Sequence, residues 1–121
     1  MMLHKFVIKE TSGVHLDALV AHAQGLDFVF VMQDGKLFCF CKHHGEQPSI
    51  YSPSTSWDQA HTITESNWAA IVEVLHKWLG HDWSHDLEND DAVMLMWLMR
   101  AFVVSKLGEV FELDLDTESR V

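Results

Sequence analysis

Three features of the sequence predict an α+β fold for this chain of 121 residues. Two apolar runs, DFVFVMQ and KLFCFCK, flank Asp34-Gly35, a pair suited to the positive backbone angles of a two-residue hairpin turn. An almost wholly apolar segment ending at Leu107 carries Asn89, Asp90 and Asp91 at its start and Gly108 after its end, the punctuation of a buried helix. Short alternating segments stand near both ends of the chain. Together these give the order β-α-β-β-loop-α-α-β, a single α+β domain over residues 1–121 with a small, mostly antiparallel sheet packed with helices.

HKFVIKE, residues 4–10, alternates as a half-buried strand does, with His4, Phe6 and Ile8 on one face and Lys5, Val7 and Lys9 on the other. Thr11-Ser12-Gly13 then introduces a helix from about Val14 to Gln24, in which Leu16, Leu19, Val20 and Ala23 share a side and Gly25 supplies the stop. Pairing the hairpin outward from its turn sets Gln33 opposite Lys36 and Asp27 opposite Lys42. Phe28, Phe30 and Met32 then share a face with Leu37, Cys39 and Cys41, while Val29 and Val31 share the other with Phe38 and Phe40. Both faces are apolar. The hairpin is therefore expected to be covered on both sides, by helices or by a second copy of the chain.

HHGEQPSIYSPSTSWDQA, residues 43–60, holds both prolines and reads as a long surface loop, a feature that in compact domains is usually functional or mobile. Trp68, Ile71, Val72, Leu75 and Leu79 next form a helical stripe closed by Gly80, and Thr62 with Glu65, or Ser66 nearby, is expected to cap its start. HDWSHDLEND, residues 81–90, is a second polar connection ahead of the long helix. The closing VFELDLD points Phe111, Leu113 and Leu115 inward and Glu112, Asp114 and Asp116 outward; beside the first strand, those acids would meet Lys5 and Lys9.

A composition of 48% hydrophobic and 21% charged residues is that of a soluble globular protein, and the length supports a core without disulfide or metal staples. Acids outnumber bases 18 to 8, giving a formal charge of −10 that repels phosphates and favours basic partners. No direct nucleic-acid binding is expected. Protonating all nine histidines would bring the charge to −1 (−10 + 9), so the field should weaken sharply in mild acid. The apolar stretch from Ala92 to Met99 is far shorter than the ~20 residues of a membrane span, and the N-terminus lacks the pattern of a secretory signal. Cys39 and Cys41 stand two apart on an extended segment, a spacing unsuited to a disulfide, so free thiols in a reducing cytoplasm are expected.

Few residues carry a chemical signature. His81 and His85 have clamp spacing for a metal if helical, but Gly80, Asp82 and Ser84 favour a loop, and a structural zinc wants four ligands. Cys39, Cys41 and His43, with His44, resemble a metal cluster on paper, yet the hairpin pairing sets both cysteines beside Phe28 and Phe30, where core packing is the simpler role. His15 and His22 are ~10 Å apart along their helix, too far to share an ion, and are read as boundary residues; His61 and His76 have no evident partner. The acid clusters at 82–91 and 109–118 suit helix capping and solvated strand faces better than a phosphate-like array. No nucleophile-elbow, phosphate-loop, zinc-protease or EF-hand pattern occurs, and neither metal nor cofactor is expected.

The 51–60 segment is the candidate binding site, with Tyr51, Trp57 and Gln59 as walls and polar anchors and Ser52, Ser54 and Thr55 as hydroxyls beside them. A structural reading is preferred: short hydroxyl side chains bond nearby backbone and order a turn, while Tyr51 and Trp57 pin it to the core.

Three segments in order, KETSGVHLDALVAHAQG, YSPSTSWDQ and LMRAFVVSKLGEVFELD, together resemble the small bacteriophage and prophage proteins called NinX. The family's central motif is Tyr-Ser-Pro-Ser-Thr-Asp-Trp-x-Gln; here Ser56 stands in place of its aspartate, and Ala60, His61 and Thr62 replace a Gly-Gly-Pro. The resemblance implies a phage or prophage context in a bacterial cytoplasm. The acidic field, the doubly apolar hairpin and the lack of catalytic signatures lead to the expectation of a non-enzymatic accessory protein that binds a phage or host protein, with a homodimer as one option. A small-ligand or enzymatic pocket at 51–60, and an acidic mimic that blocks a DNA-binding protein, are the alternatives.

Overall fold

A computed structural model describes residues 3–41, 47–114 and 117–119. The chain opens with strand β1 (Leu3–Val7), and a short 3-10 turn, Ile8–Glu10, ends it before the alternation does, so Ile8 drops into the core. Helix α1 (Gly13–Ala23) follows and buries Leu16 to Ala21. Strands β2 (Phe28–Gln33) and β3 (Lys36–Cys41) form the hairpin in the expected register, from Gln33 opposite Lys36 to Phe28 opposite Cys41. Asp34 and Gly35 take φ of 52° and 78°, the left-handed pair that a tight hairpin turn demands. The Asp27–Lys42 pairing lies outside the described residues.

Between residues 47 and 91 the structure departs from the expected loop, helix and connection. A two-residue strand, β4 (Ser49–Ile50), pairs with the end of β3, and helix α2 (Trp57–Ser66) begins inside the stretch read as loop. Thr62, Glu65 and Ser66 are thus part of α2 and cap nothing. Asn67 breaks the path, its Nδ2 donating to the Ile63 carbonyl at 2.8 Å, and helix α3 (Trp68–Leu79) starts immediately after it. The second connection contains helix α4 (Trp83–Leu87), which Trp83 and Leu87 anchor by burial.

Helix α5 (Asp91–Leu107) is capped by Asp90, whose carboxylate accepts from the Ala92 and Val93 amides at 3.0 and 3.2 Å. Apolar nearly all round, α5 is the central element, with α1, α2, α3 and α4 packed on it. It also buries Arg100, whose Nε donates to the Thr11 carbonyl at 2.7 Å while the guanidinium lies 4.7 Å from the Trp97 ring centroid. Burial holds that guanidinium below its ordinary pKa. Among the described residues, no helix is long and apolar enough to cross a membrane.

Strand β5 (Val110–Asp114) pairs antiparallel with β1, and strand β6 (Thr117–Ser119) lies parallel to β2. The fold is α+β as expected, but its strands divide between two sheets: β1-β5, and β4-β3-β2-β6. Leu113 is buried and Phe111 half-buried, and Glu112 stands opposite Lys5. Lys9 lies outside the ladder, with Nζ 5.9 Å from the Trp78 ring centroid. Leu115 and Asp116 are outside the described residues.

Among the described residues the two faces of the hairpin are covered unequally: Val31 is buried on the second face, while Val29 and Phe40 are half-buried there. Of the helices, α1 packs on the hairpin, against the first face, which bears Phe30, Cys39 and Cys41. The Val29, Val31 and Phe40 side carries a groove of about 340 Å³, also lined by Asp27, Phe28, Gln33, Gln47 and Pro48.

Candidate functional site

The segment after β4 is a clasp closed by hydrogen bonds at both ends. At its start, the Tyr51 amide donates to the Cys39 carbonyl at 2.8 Å, extending the sheet by one bond. The Tyr51 ring is buried, and its hydroxyl accepts from Gln24 Nε2 at the end of α1. Pro53 is fully buried, and the Ser54 amide donates to the Asp17 carboxylate of α1 at 2.8 Å, out of contact with water. Between them the Thr55 amide and hydroxyl both reach the Ser52 carbonyl, at 3.0 and 3.4 Å, forming the turn. Gln59 closes the clasp from α2, with Oε1 accepting from the Ser52 amide at 2.6 Å and Nε2 donating to the Ile50 carbonyl at 3.2 Å.

Beneath it lies a set of buried ionisable groups. Burial raises the Asp17 carboxyl to about 6, although hydrogen bonds from the Ser54 amide and from its side chain oppose the shift. Tyr51 is raised to about 12, chiefly by burial. The hydrogen bond between the Cys39 and Cys41 side chains pushes Cys39 up and draws Cys41 down, with burial adding to the first and opposing the second. Both cysteines are free and sit in the core beside Phe30 and Phe28, as the register implies.

The expected binding residues therefore separate. Tyr51 and Gln59 line one wall of a cleft of about 340 Å³, completed by Gln24, Thr62, Ile63, Ser66 and Asn67. Ser54 and Thr55 line a different, apolar hollow of about 250 Å³ with Gly13, Ala92, Val93 and Met96. Ser52 serves the clasp through its backbone. Trp57 lines neither and pins nothing to the core: it is the first residue of α2 and 42% exposed, because the clasp turns there and Pro53 occupies the interior instead. Asp17, Gln24 and Asn67 carried no sequence signal as part of this region. Only the placing of an acid between Leu16 and Ala18 on an apolar helix face hinted that Asp17 needs a partner.

The remaining candidates resolve locally. His85 faces Glu88 at 3.3 Å, His61 faces Glu65 at 3.3 Å, and the rings of His76 and His81 stand 5.0 Å apart. His43 and His44 lie outside the described residues, among which no group of three or more His, Cys, Asp or Glu side chains could hold a metal. His15 is half-buried between Phe6 and Phe30, and burial lowers its pKa, as suits a boundary residue. In the acid clusters, Asp90 caps α5 and Glu109 accepts from Lys77 and Trp78.

The fold and this clasp define a small α+β protein in which a Tyr-Ser-Pro-Ser-Thr segment locks a hairpin to two helices. A family model described as Bacteriophage P22, NinX matches residues 8–106, and the chain belongs to that family, a phage-type protein. The match runs through 66–88, outside the three segments that carried the resemblance, and ends at Lys106, ahead of the acidic strand. No curated protein and no solved structure matches the chain.

Proposed function

We propose that this is a phage accessory protein of the host cytoplasm that acts by binding a protein partner, phage or host, through the groove on the second face of the hairpin. The observation that carries the reading is the groove over Val29, Val31 and Phe40, an apolar floor on a sheet whose opposite face is packed by α1. Asp27 stands on its rim, and the chain has a formal charge of −10. The partner segment that fits is basic, with an apolar side chain to fill the floor.

Val29→Lys places a cation in the groove at a half-buried position. Affinity capture from infected host cells should recover a partner on the wild-type protein and lose it on this variant, with an unchanged far-ultraviolet circular dichroism spectrum. Raising the salt from about 0.05 to 0.5 M should weaken the capture. A partner held equally by both proteins would remove the groove from the reading. Light scattering covers the competing occupant: a dimer that Val29→Lys dissolves would assign this face to a second copy of the chain.

A further inference from the structure

We propose that the cleft between the clasp and α2 binds a small, uncharged, planar hydrogen-bonding molecule of nucleobase or nucleoside size. The inference stands apart from the groove, which lies on the hairpin's other side and is lined by different residues.

The lining has a distinctive chemistry. It presents three carboxamides, from Gln24, Gln59 and Asn67, and two hydroxyls on α2, from Thr62 and Ser66, over the apolar side chain of Ile63. Among the described residues, no lysine, arginine, histidine, aspartate or glutamate lines it. A charged ligand would surrender hydration there without a counter-charge, and the protein's net charge of −10 further disfavours an anion.

The amides are held in place before any ligand arrives. Gln24 Nε2 donates to the Val20 carbonyl at 3.2 Å and to the Tyr51 hydroxyl, so its two N–H groups are engaged and its carbonyl oxygen remains as an acceptor. Asn67 commits one N–H to Ile63 and retains both an acceptor oxygen and a second donor. Gln59 is fixed at both atoms by the clasp, with one lone pair and one N–H to spare. Side chains fixed in this way cost little entropy on binding. Adjacent donor and acceptor groups on an amide match the paired donor and acceptor of a base edge, as in carboxamide recognition of adenine. At about 340 Å³ the cleft is near the lower end of ligand pockets, room for one such molecule and not for a polymer.

Thr62 and Ser66 are exposed, so Thr62→Phe and Ser66→Leu obstruct the cleft without entering the core. The experiment titrates the full chain, followed by amide resonances of residues 59–67, with adenine, adenosine, cytidine and uridine and with the matching nucleoside monophosphates. At least one uncharged compound should bind with a dissociation constant of about 1 mM or tighter. Its monophosphate should bind about tenfold more weakly or worse, and both variants should lose about tenfold while keeping the wild-type circular dichroism spectrum. The proposal fails if none of the uncharged compounds shifts these resonances, if the phosphorylated forms bind as well, or if both folded variants bind like wild type. The groove reading is untouched by any of these outcomes, since capture of a protein partner by Val29 does not depend on the cleft.

Discussion

Burial of the Asp17 carboxyl beneath the clasp couples the stability of the protein to pH. Its folded pKa of about 6 lies above the ordinary 3.8, so the folded state holds the proton more tightly than the unfolded one. Well below pH 3.8 both states are protonated and there is no penalty; as pH rises toward 6 the unfolded chain ionises first, and stability falls. Above that range the full cost, on the order of 2–3 kcal/mol, is present. Asp17→Asn keeps an oxygen for the Ser54 amide and removes the charge. Urea denaturation should find it only about 0.5 kcal/mol more stable than wild type near pH 4 and about 2–3 kcal/mol more stable at pH 7. A gap that does not change with pH would contradict the account. Residues such as Asp17 and Arg100 were the least legible from sequence. Each is a charged group whose burial depends on a partner brought by folding, the Ser54 amide and the Thr11 carbonyl, and nothing in the neighbouring letters announces that partner.

Among the elements, legibility followed periodicity. The hairpin register was readable because strict alternation leaves one pairing that keeps Phe28, Phe30, Cys39 and Cys41 on a single face. Helix α5 was readable from its cap and stop. Helix α2 was not, because it buries only Ala60, Ile63 and Thr64, too narrow a face to make a stripe in so polar a segment. Its start also explains the Tyr-Ser-Pro-Ser-Thr-Asp-Trp motif. Ser56 is the N-cap of α2, with extended backbone angles of −126° and 111°, yet its side chain makes no capping bond. The family's aspartate would fall at that cap. Ser56→Asp should raise stability by about 0.5–1 kcal/mol through a capping bond and its charge at the positive end of the helix. Thermal unfolding should show a rise of a few degrees, about 2–5 °C, that shrinks in high salt; no rise at low salt would remove capping as the reason for the aspartate.

At the scale of the molecule, α+β class and a central last helix were legible because they follow from which segments are wholly apolar. The division into two sheets was not. The acids of β5 and the lysine of β1 pointed to their pairing, but nothing local tells β6 to lie parallel beside β2; the layout follows from where α5 delivers the chain, with the Ile8 amide bonded to the Glu109 carbonyl at 2.9 Å. The two closing strands have a consequence for biosynthesis. Leu3 is partnered by Asp114 and Phe30 by Thr117, so each sheet joins an early strand to one that follows α5. At about 5–20 residues per second, β1 leaves the ribosome roughly 5–20 s before its partner exists. Neither sheet can close before residues 110–119 have emerged, and until then β1 and the free edge of β2 are open to other strands. A nascent chain stalled with residues 108–121 inside the exit tunnel should be cut readily by protease, and the same chain should become resistant on release. Equal resistance before and after release would mean that α1, the hairpin and α5 hold together before either sheet is complete.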